Sequence, residues 1–375
     1  MKIAHLVCTF PPYLGGMGNS ADAMVKALSK RGLDVTIITP EYNTVSSDRS
    51  DFKVLRLRPL FSLGNAAYVP NLISRLKEFD IVHLHYPFFG AAEFVMLAKL
   101  IFRQKFRLLI HYHMDAQVNG LKQLIFQLYR FLILPILFRQ TECITCASIS
   151  YIKQSEMAKY YAKNPEKFKE ISFGVDLDLF KPGKNIIAKT DVKNILFVGG
   201  LDKAHYFKGL DVLIKAISNL KSLNFSLSVV GSGDLMSSYK ETARNFGVLD
   251  KINFLGRVDS AGLQECYNEC DVFVLPSINR CEAFGLVLLE AMALARGVIA
   301  SRLPGVDSVF SDGVEGYYVN PGDSNDLTQK IQFVLSNQEL ITKMGKAGRV
   351  LVESKYTWDK VGAKLKAIYE NSSNQ

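Results

Sequence analysis

Residues 275–297 read LPSINRCEAFGLVLLEAMALARG. Leu275 ends an apolar run, DVFVL, of the length and composition of a buried strand. The proline, serine and asparagine after it make a turn, and from about Phe284 the residues continue as a helix. Glu282 stands just before that helix and Glu290 lies inside it, with seven residues between them. If the intervening residues are helical, a rise of about 1.5 Å each puts the two carboxylates at most roughly 12 Å apart along the axis. That is about the reach of a pyrophosphate with a sugar at one end and a ribose at the other. The backbone N–H groups of Phe284, Gly285, Leu286 and Val287 would be the unpaired donors of the first turn, which with the helix dipole make an anion site. Gly285 would let a ligand approach the backbone closely. For the pair taken alone a second reading stands beside this one, in which Glu282 caps the helix and Glu290 merely sits near its positive end.

Outward from this stretch the chain is a succession of strands and helices. Before and after it come NILFVGG, FSLSVVG, INFLG, GVIAS and GYYV. In the first half KIAHLVC, DVTIITP, FKVLRLR, DIVHLHYP, RLLIHYHMD and ECITCAS are separated by segments of helix length. Strands alternating with helices argue for an α/β fold with parallel, doubly wound sheets. Two such series joined by one linker, EISFGVDLDLFKPG, require two domains, in keeping with 375 residues of which 48% are hydrophobic. The glycines after the first strand, Gly15, Gly16 and Gly18, are spaced G-G-x-G, not G-x-G-x-x-G, and Asp34 opens the next strand instead of closing it. A dinucleotide-binding dehydrogenase is therefore disfavoured.

The run S-x-x-x-x-E-A-F-G-L-V-L-L-E-A-M-A, residues 277–293, resembles the E-x7-E signature of the retaining, nucleotide-sugar-dependent glycosyltransferases of family 4. The resemblance implies a GT-B fold, with two facing Rossmann-like domains and a cleft between them. It divides the chain into residues 1–178, an acceptor-side domain completed by a C-terminal helix at 358–375, and residues 179–357, which bind the nucleotide sugar. VGGLDKAHYFKG resembles the family's V-G-R-L…K-G segment, with Lys208 at the matching lysine and Gly200 where arginine is usual. His113-x-Asp115 matches the family's H-x-D, whose histidine points at the donor sugar. Tyr86, His113 and Asp115 fall at the carboxyl ends of strands, where ligands bind on such sheets. The implied roles are Lys208 and the N–H groups from Phe284 through Gly285 to Leu286 on the diphosphate, Gly16 beside it, Glu282 on donor-sugar hydroxyls and Glu290 on the ribose. Tyr86 and Asp115 would lie on the acceptor side. The implied reaction moves a hexose from a UDP- or GDP-sugar to an acceptor hydroxyl with retention, in making a cell-surface polysaccharide or glycolipid, with no cofactor and no metal. A phosphate oxygen would take the acceptor's proton. The alternative, which Gly200 feeds, is a non-catalytic GT-B subunit that binds nucleotide sugar or partners another transferase.

Charge and cysteines narrow the setting. Cys143-Ile-Thr-Cys146 has C-x-x-C spacing, but a strand turns those thiols to opposite faces, so plain core cysteines are expected. His83 and His85 share one strand face, as do His111 and His113, which by residue type could hold a metal but equally serve a sugar site. The formal net charge is +9, and residues 95–140 carry seven basic residues against one acid, interleaved with apolar and aromatic ones. Two readings stand: docking on an anionic membrane, or a buried helix with a basic solvated rim. No nucleic-acid motif accompanies the charge. With no run of 18 apolar residues, the expected location is the cytosol or the inner face of the cytoplasmic membrane.

Overall fold

The computed structural model describes residues 1–13, 15–42, 51–116, 122–183, 191–221 and 223–371. The chain forms two compact units, Met1–Phe173 with Trp358–Gln375, and Gly174–Thr357. The division falls after Phe173 and not after residue 178, as the linker motif suggested. Its GVD residues are bound into the second unit: Val175 N–H donates to the Tyr356 carbonyl at 2.8 Å, and Arg349 Nη1 donates to the Phe180 carbonyl at 3.1 Å.

The first unit is built on a seven-stranded parallel sheet. Its strands are β1 (Lys2–Leu6), β2 (Asp34–Pro40), β3 (Lys53–Leu57), β6 (Ile81–Tyr86), β7 (Arg107–Tyr112), β8 (Cys143–Cys146) and β9 (Phe168–Glu170). They lie in the order β3-β2-β1-β6-β7-β8-β9. After its first residue β1 is wholly buried, and so is β6 throughout, as expected of strands covered on both faces. Between β3 and β6 the chain makes a small antiparallel hairpin, β4 (Phe61–Leu63) with β5 (Ala66–Tyr68), closed by Phe61 stacked on Tyr68. The helix Gly16–Ser29 follows β1, and the C-terminal helix Trp358–Asn371 packs against it, held at one end by Arg31 to Asp359 at 2.7 Å.

The second unit repeats the plan with six parallel strands: β10 (Lys193–Val198), β11 (Phe225–Val230), β12 (Ile252–Gly256), β13 (Val272–Leu275), β14 (Gly297–Ser301) and β15 (Gly316–Val319). Their order is β12-β11-β10-β13-β14-β15. Ile195, Phe197, Leu227, Val274 and Ile299 from the sheet meet Leu213, Ile214 and Ile331 from the helices in a continuous core. In each unit the strand order reverses beside the first strand, between β1 and β6 and between β10 and β13. The position outside the carboxyl ends of those two neighbours is the usual ligand crevice of such sheets.

Residues 95–140 correct the charge reading. Lys99 donates to the Arg103 carbonyl at 2.7 Å, Arg107 forms a two-pronged pair with Glu142 at 2.8 and 2.9 Å, and Arg130 meets Glu156 at 2.8 Å. The last two acids lie outside the segment in sequence, so its surface is less basic than its composition. The side chain of Lys122 lies outside the described residues. Arg103, Lys105 and Arg139 are exposed. Beside them the neighbouring helices Ala92–Phe102, Lys122–Leu132 and Leu134–Gln140 expose Leu100, Ile101, Leu128, Phe131 and Ile136, with Phe131 79% exposed. Among the described residues no helix is long and apolar enough to cross a membrane.

Candidate active site

In the second unit the loops that leave β10 and β13 are sewn together. Gly209 has φ +72° and lies so close to β13's loop that a Cβ would fall 2.1 Å from the Pro276 carbonyl oxygen. Two residues before Gly209, the Phe207 carbonyl accepts from Ile278 N–H at 2.8 Å. This stitching puts Lys208 against the loop that carries Glu282. Lys208 Nζ donates to Glu282 Oε2 at 2.6 Å, and Ser277 Oγ donates to the same oxygen at 3.2 Å. Both charged side chains are largely buried. An ammonium has three donors and a carboxylate two oxygens, so this pair keeps N–H groups and Oε1 to offer a ligand while remaining together.

The signature helix is Leu286–Ala293, shorter at its start than the sequence suggested. Phe284 and Gly285 precede it, and the first-turn N–H groups are those of Leu286, Val287 and Leu288, the last bonded back to the Gly285 carbonyl at 2.9 Å. Glu282 does not cap it; the cap position belongs to Gly285, which has φ +84° and no side chain to bond. A Cβ on Gly285 would stand 2.9 Å from Leu275 and 3.0 Å from Leu288, so glycine is demanded here by the fold itself. Phe284 is buried, its ring edge-on to Tyr356. Inside the helix, Glu290 Oε2 accepts a hydrogen bond from Tyr267 Oη at 2.8 Å. Burial pushes its carboxyl up to about 7, against the opposing pull of Tyr267 and the Lys208 charge. Glu290 is thus half-ionised near neutrality.

In the first unit, His113 follows β7 and is nearly buried. Its ring stacks on Phe173, and its Nε2 lies 2.9 Å from His85 Nδ1. Behind His85 the contacts continue. His85 Nε2 meets His5 Nδ1 at 2.9 Å, and His5 Nε2 meets Tyr369 Oη at 3.0 Å. Tyr369 Oη meets His83 Nδ1 at 2.6 Å, while His83 Nε2 and His111 Nδ1 meet Thr145 Oγ1 at 3.2 and 2.8 Å. The strand-face pairing of the histidines is as the alternation indicated, yet they bond to one another in a line and do not converge on a point. Among the described residues no group of three or more His, Cys, Asp or Glu side chains is arranged around a metal position. Burial depresses all five imidazoles, His5 and His111 to about 3, so they are neutral at pH 7.

Asp115 is buried and accepts from Tyr112 Oη at 2.7 Å and from Glu156 N–H at 3.1 Å. Tyr86 is buried too, stacked on Tyr112. Gly16 opens the helix Gly16–Ser29, and among the described residues no atom lies within 4 Å of where its Cβ would stand. The six cysteines are free thiols.

Sequence comparison bears on this arrangement directly. A family model described as Glycosyltransferase Family 4 matches residues 14–179, and one described as Glycosyl transferases group 1 matches residues 183–351. The chain belongs to glycosyltransferase family 4. Among similar family members, the O-antigen chain mannosyltransferase C of Escherichia coli is 27% identical over 374 residues, covering 96% of this chain and 95% of that one. The phosphatidyl-myo-inositol mannosyltransferase of Mycobacterium leprae is 27% identical over 370 residues, covering 95% and 93%. Among solved structures, HepE of Anabaena in complex with UDP aligns with a TM-score of 0.79 at 18% identity, over 99% of this chain and 100% of that one. Sucrose-phosphate synthase of Thermosynechococcus elongatus aligns at 0.78 and 21%, over the whole of both chains. The two Rossmann-like units are those of the GT-B fold.

This family 4 chain departs from the usual pattern at Gly200, and the structure shows what fills the space. A Cβ there would lie 2.7 Å from His205 Nδ1, because the His205 ring folds over Gly200 to bond Asp202 at 2.9 Å. Lys203 turns to Asp234, 3.9 Å away. Sequence reasoning also missed Ser277, Tyr267, His5 and Tyr369. Ser277 sat inside the signature run, but nothing local marks Tyr267 or Tyr369, which reach their partners only through the fold.

Proposed function

We propose that this glycosyltransferase moves a hexose from a UDP- or GDP-sugar to an acceptor hydroxyl with retention of configuration. The acceptor is a growing cell-surface polysaccharide or a glycolipid. The observation that carries the reading is the buried Lys208–Glu282 pair at the crevice of the second sheet, with the first turn of the signature helix beside it. The hard part of such a transfer is charge: the diphosphate becomes more negative as the sugar departs as a cation-like species. Donors fixed in advance toward that charge are the largest usual source of acceleration. In this reading Lys208 and the N–H groups of Leu286 and Val287 receive the diphosphate, with Gly16 leaving room beside it. Glu282 Oε1 takes a sugar hydroxyl, Glu290 takes the ribose, and His113 faces the sugar. No protein carboxylate is assigned as a nucleophile. A phosphate oxygen accepts the acceptor's proton, and no divalent metal takes part.

The relatives support the acceptor class: one is named for an O-antigen chain and another for phosphatidyl-myo-inositol. HepE, solved with UDP and with UDP-glucose, supports a nucleotide-sugar donor. The exposed leucines, Ile101 and Phe131 beside Arg103, Lys105 and Arg139 support docking on an anionic membrane, where a lipid-linked acceptor would be met.

The test is calorimetric binding to a panel of UDP-, GDP- and ADP-sugars, followed by nucleotide release with and without chelator. Binding of one donor with slow, chelator-insensitive hydrolysis is expected. Binding without any hydrolysis or transfer, even with acceptor present, would favour a non-catalytic subunit. No binding to any donor would overturn the reading.

A further inference from the structure

A neutral imidazole carries one N–H and one bare nitrogen, so a hydrogen bond between two neutral imidazoles takes its proton from one side only. His113 Nε2 meets His85 Nδ1, His85 Nε2 meets His5 Nδ1 and His5 Nε2 meets Tyr369 Oη, so every link but the last joins an Nε2 to an Nδ1, and all three rings are buried and neutral. The three therefore share one tautomer, either all Nε2–H or all Nδ1–H. The choice falls to the group at the inner end, Tyr369 Oη, which stands between His5 and His83.

Tyr369 Oη has one proton to give. Its separation from His83 Nδ1 is 2.6 Å, short for an N–H donor and natural for an O–H donor, whereas its 3.0 Å to His5 Nε2 is the usual N–H···O length. Tyr369 thus donates to His83 and accepts from His5. The rest of the line agrees. His83 Nε2–H donates to Thr145 at 3.2 Å, His111 Nδ1–H donates to Thr145 at 2.8 Å, and Thr145 donates to the Ile110 carbonyl at 3.4 Å. His111 Nε2, which has no hydrogen-bond partner among the described residues, is then a bare lone pair and not a stranded N–H. Every N–H and O–H within the line has an acceptor. With the opposite polarity the Thr145–Ile110 contact carries no proton.

We propose that Tyr369 is a positioning residue: by accepting from His5 it sets His5, His85 and His113 as Nε2–H tautomers, so that His113 presents a bare Nδ1 as an acceptor at the outer end. The relay deepens the reading of His113 as a donor-sugar residue, and depends on that reading only for its effect on turnover. An Nδ1 acceptor suits a sugar hydroxyl that donates. Arg107, whose Nη1 donates to the Tyr369 carbonyl at 2.7 Å, holds the tyrosine in place from the sheet.

Long-range ¹⁵N–¹H correlation spectra of the full chain labelled at histidine read each tautomer directly, with the His113 signals assigned by their loss in His113→Gln. In the unsubstituted protein at pH 7.5, His113, His85 and His5 are expected with the proton on Nε2; a His113 protonated on Nδ1 overturns the proposal. Tyr369→Phe takes the acceptor from His5 Nε2–H. The buried donor is then relieved only if the three rings turn over together, so His113 should invert to Nδ1–H. A folded Tyr369→Phe protein with His113 unchanged overturns the relay, whatever its activity. Inversion with a fall in kcat of tenfold or more supports both the relay and the sugar contact. Inversion with unchanged transfer supports the relay and removes His113 from the donor site. Should Tyr369→Phe fail to fold, the spectrum of the unsubstituted protein still decides.

Discussion

At Glu290 the protein holds a carboxyl poised at about 7, and its chemistry should be visible in binding. If it accepts ribose hydroxyls, the ionised form is the one that binds. Affinity for the nucleotide sugar should then fall as pH drops below 7, by up to about tenfold per unit, because the ligand competes with a proton. Calorimetry between pH 5.5 and 8.5 checks this, and a flat profile would remove Glu290 from the ribose. Tyr267→Phe removes a bond that favours the ionised form, so the midpoint should move upward. Lys208→Met should lower kcat by about 10²–10³-fold, the scale of losing one donor aimed at developing charge. Glu282→Gln, which keeps size and loses charge, should abolish transfer while nucleotide binding changes little; a wild-type rate would sink its assignment. Glu282, Glu290 and Lys208 were legible because they stand in a long local pattern. Tyr267 was not, since a hydrogen bond across 23 residues leaves no periodic trace, and Ser277, though inside the signature run, carries no local mark of its bond to Glu282.

At the scale of elements, apolar runs bounded by glycine and proline marked each of the longer strands, because a strand buried on both faces has no polar positions to spare. The three-residue strands of the β4–β5 hairpin and the edge strand β9 were missed. They are too short to show a period, and Phe61 and Leu63 remain exposed. The helix start was misplaced because Phe284 and Ala283 are as compatible with a helix as Leu286, and only the left-handed backbone at Gly285 excludes them. The charge of residues 95–140 was misjudged for a related reason: Glu142 and Glu156 neutralise it from outside the window. What remains on its surface is an apolar patch with three arginine and lysine positions. Arg103→Glu with Lys105→Glu and Arg139→Glu should release the protein from vesicles rich in anionic lipid, with neutral vesicles as control. Phe131→Asp should weaken binding at every salt concentration, whereas the charge reversals should matter most at low salt. Equal partition of wild type between the two vesicle types would leave the patch without a lipid role.

Across the whole molecule, two parallel, doubly wound sheets could be read from alternation, whereas their strand orders and the histidine line could not, because the line joins residues as far apart as His5 and Tyr369. That line makes stability depend on pH. In the unfolded chain each histidine takes up a proton below about 6.5, while in the folded unit His5 and His111 resist until about 3. The unfolded state binds more protons throughout that window, so stability present above pH 6.5 is lost as pH falls toward 3. The slope is up to about 1.4 kcal/mol per pH unit for each histidine. Trp358, the chain's one tryptophan, begins the helix that carries Tyr369 and so reports on this unit. Its emission in urea titrations should show a midpoint that falls steadily from pH 7 to pH 5. An unchanged midpoint would mean that the imidazoles are already charged or already wet.

The first unit needs Trp358–Asn371, whereas the second is a single unbroken run, Gly174–Thr357. On a ribosome the order of completion is therefore the reverse of the order of synthesis. Residues 1–173 emerge first but must wait, with His5 and His83 lacking their tyrosine, until the final helix leaves the exit tunnel. By then the later unit has every residue it requires. A nascent chain that has emerged only through residue 357 holds a second unit complete in sequence and a first unit still lacking its last helix, and it is that half-made N-terminal segment that chaperones would have to shelter.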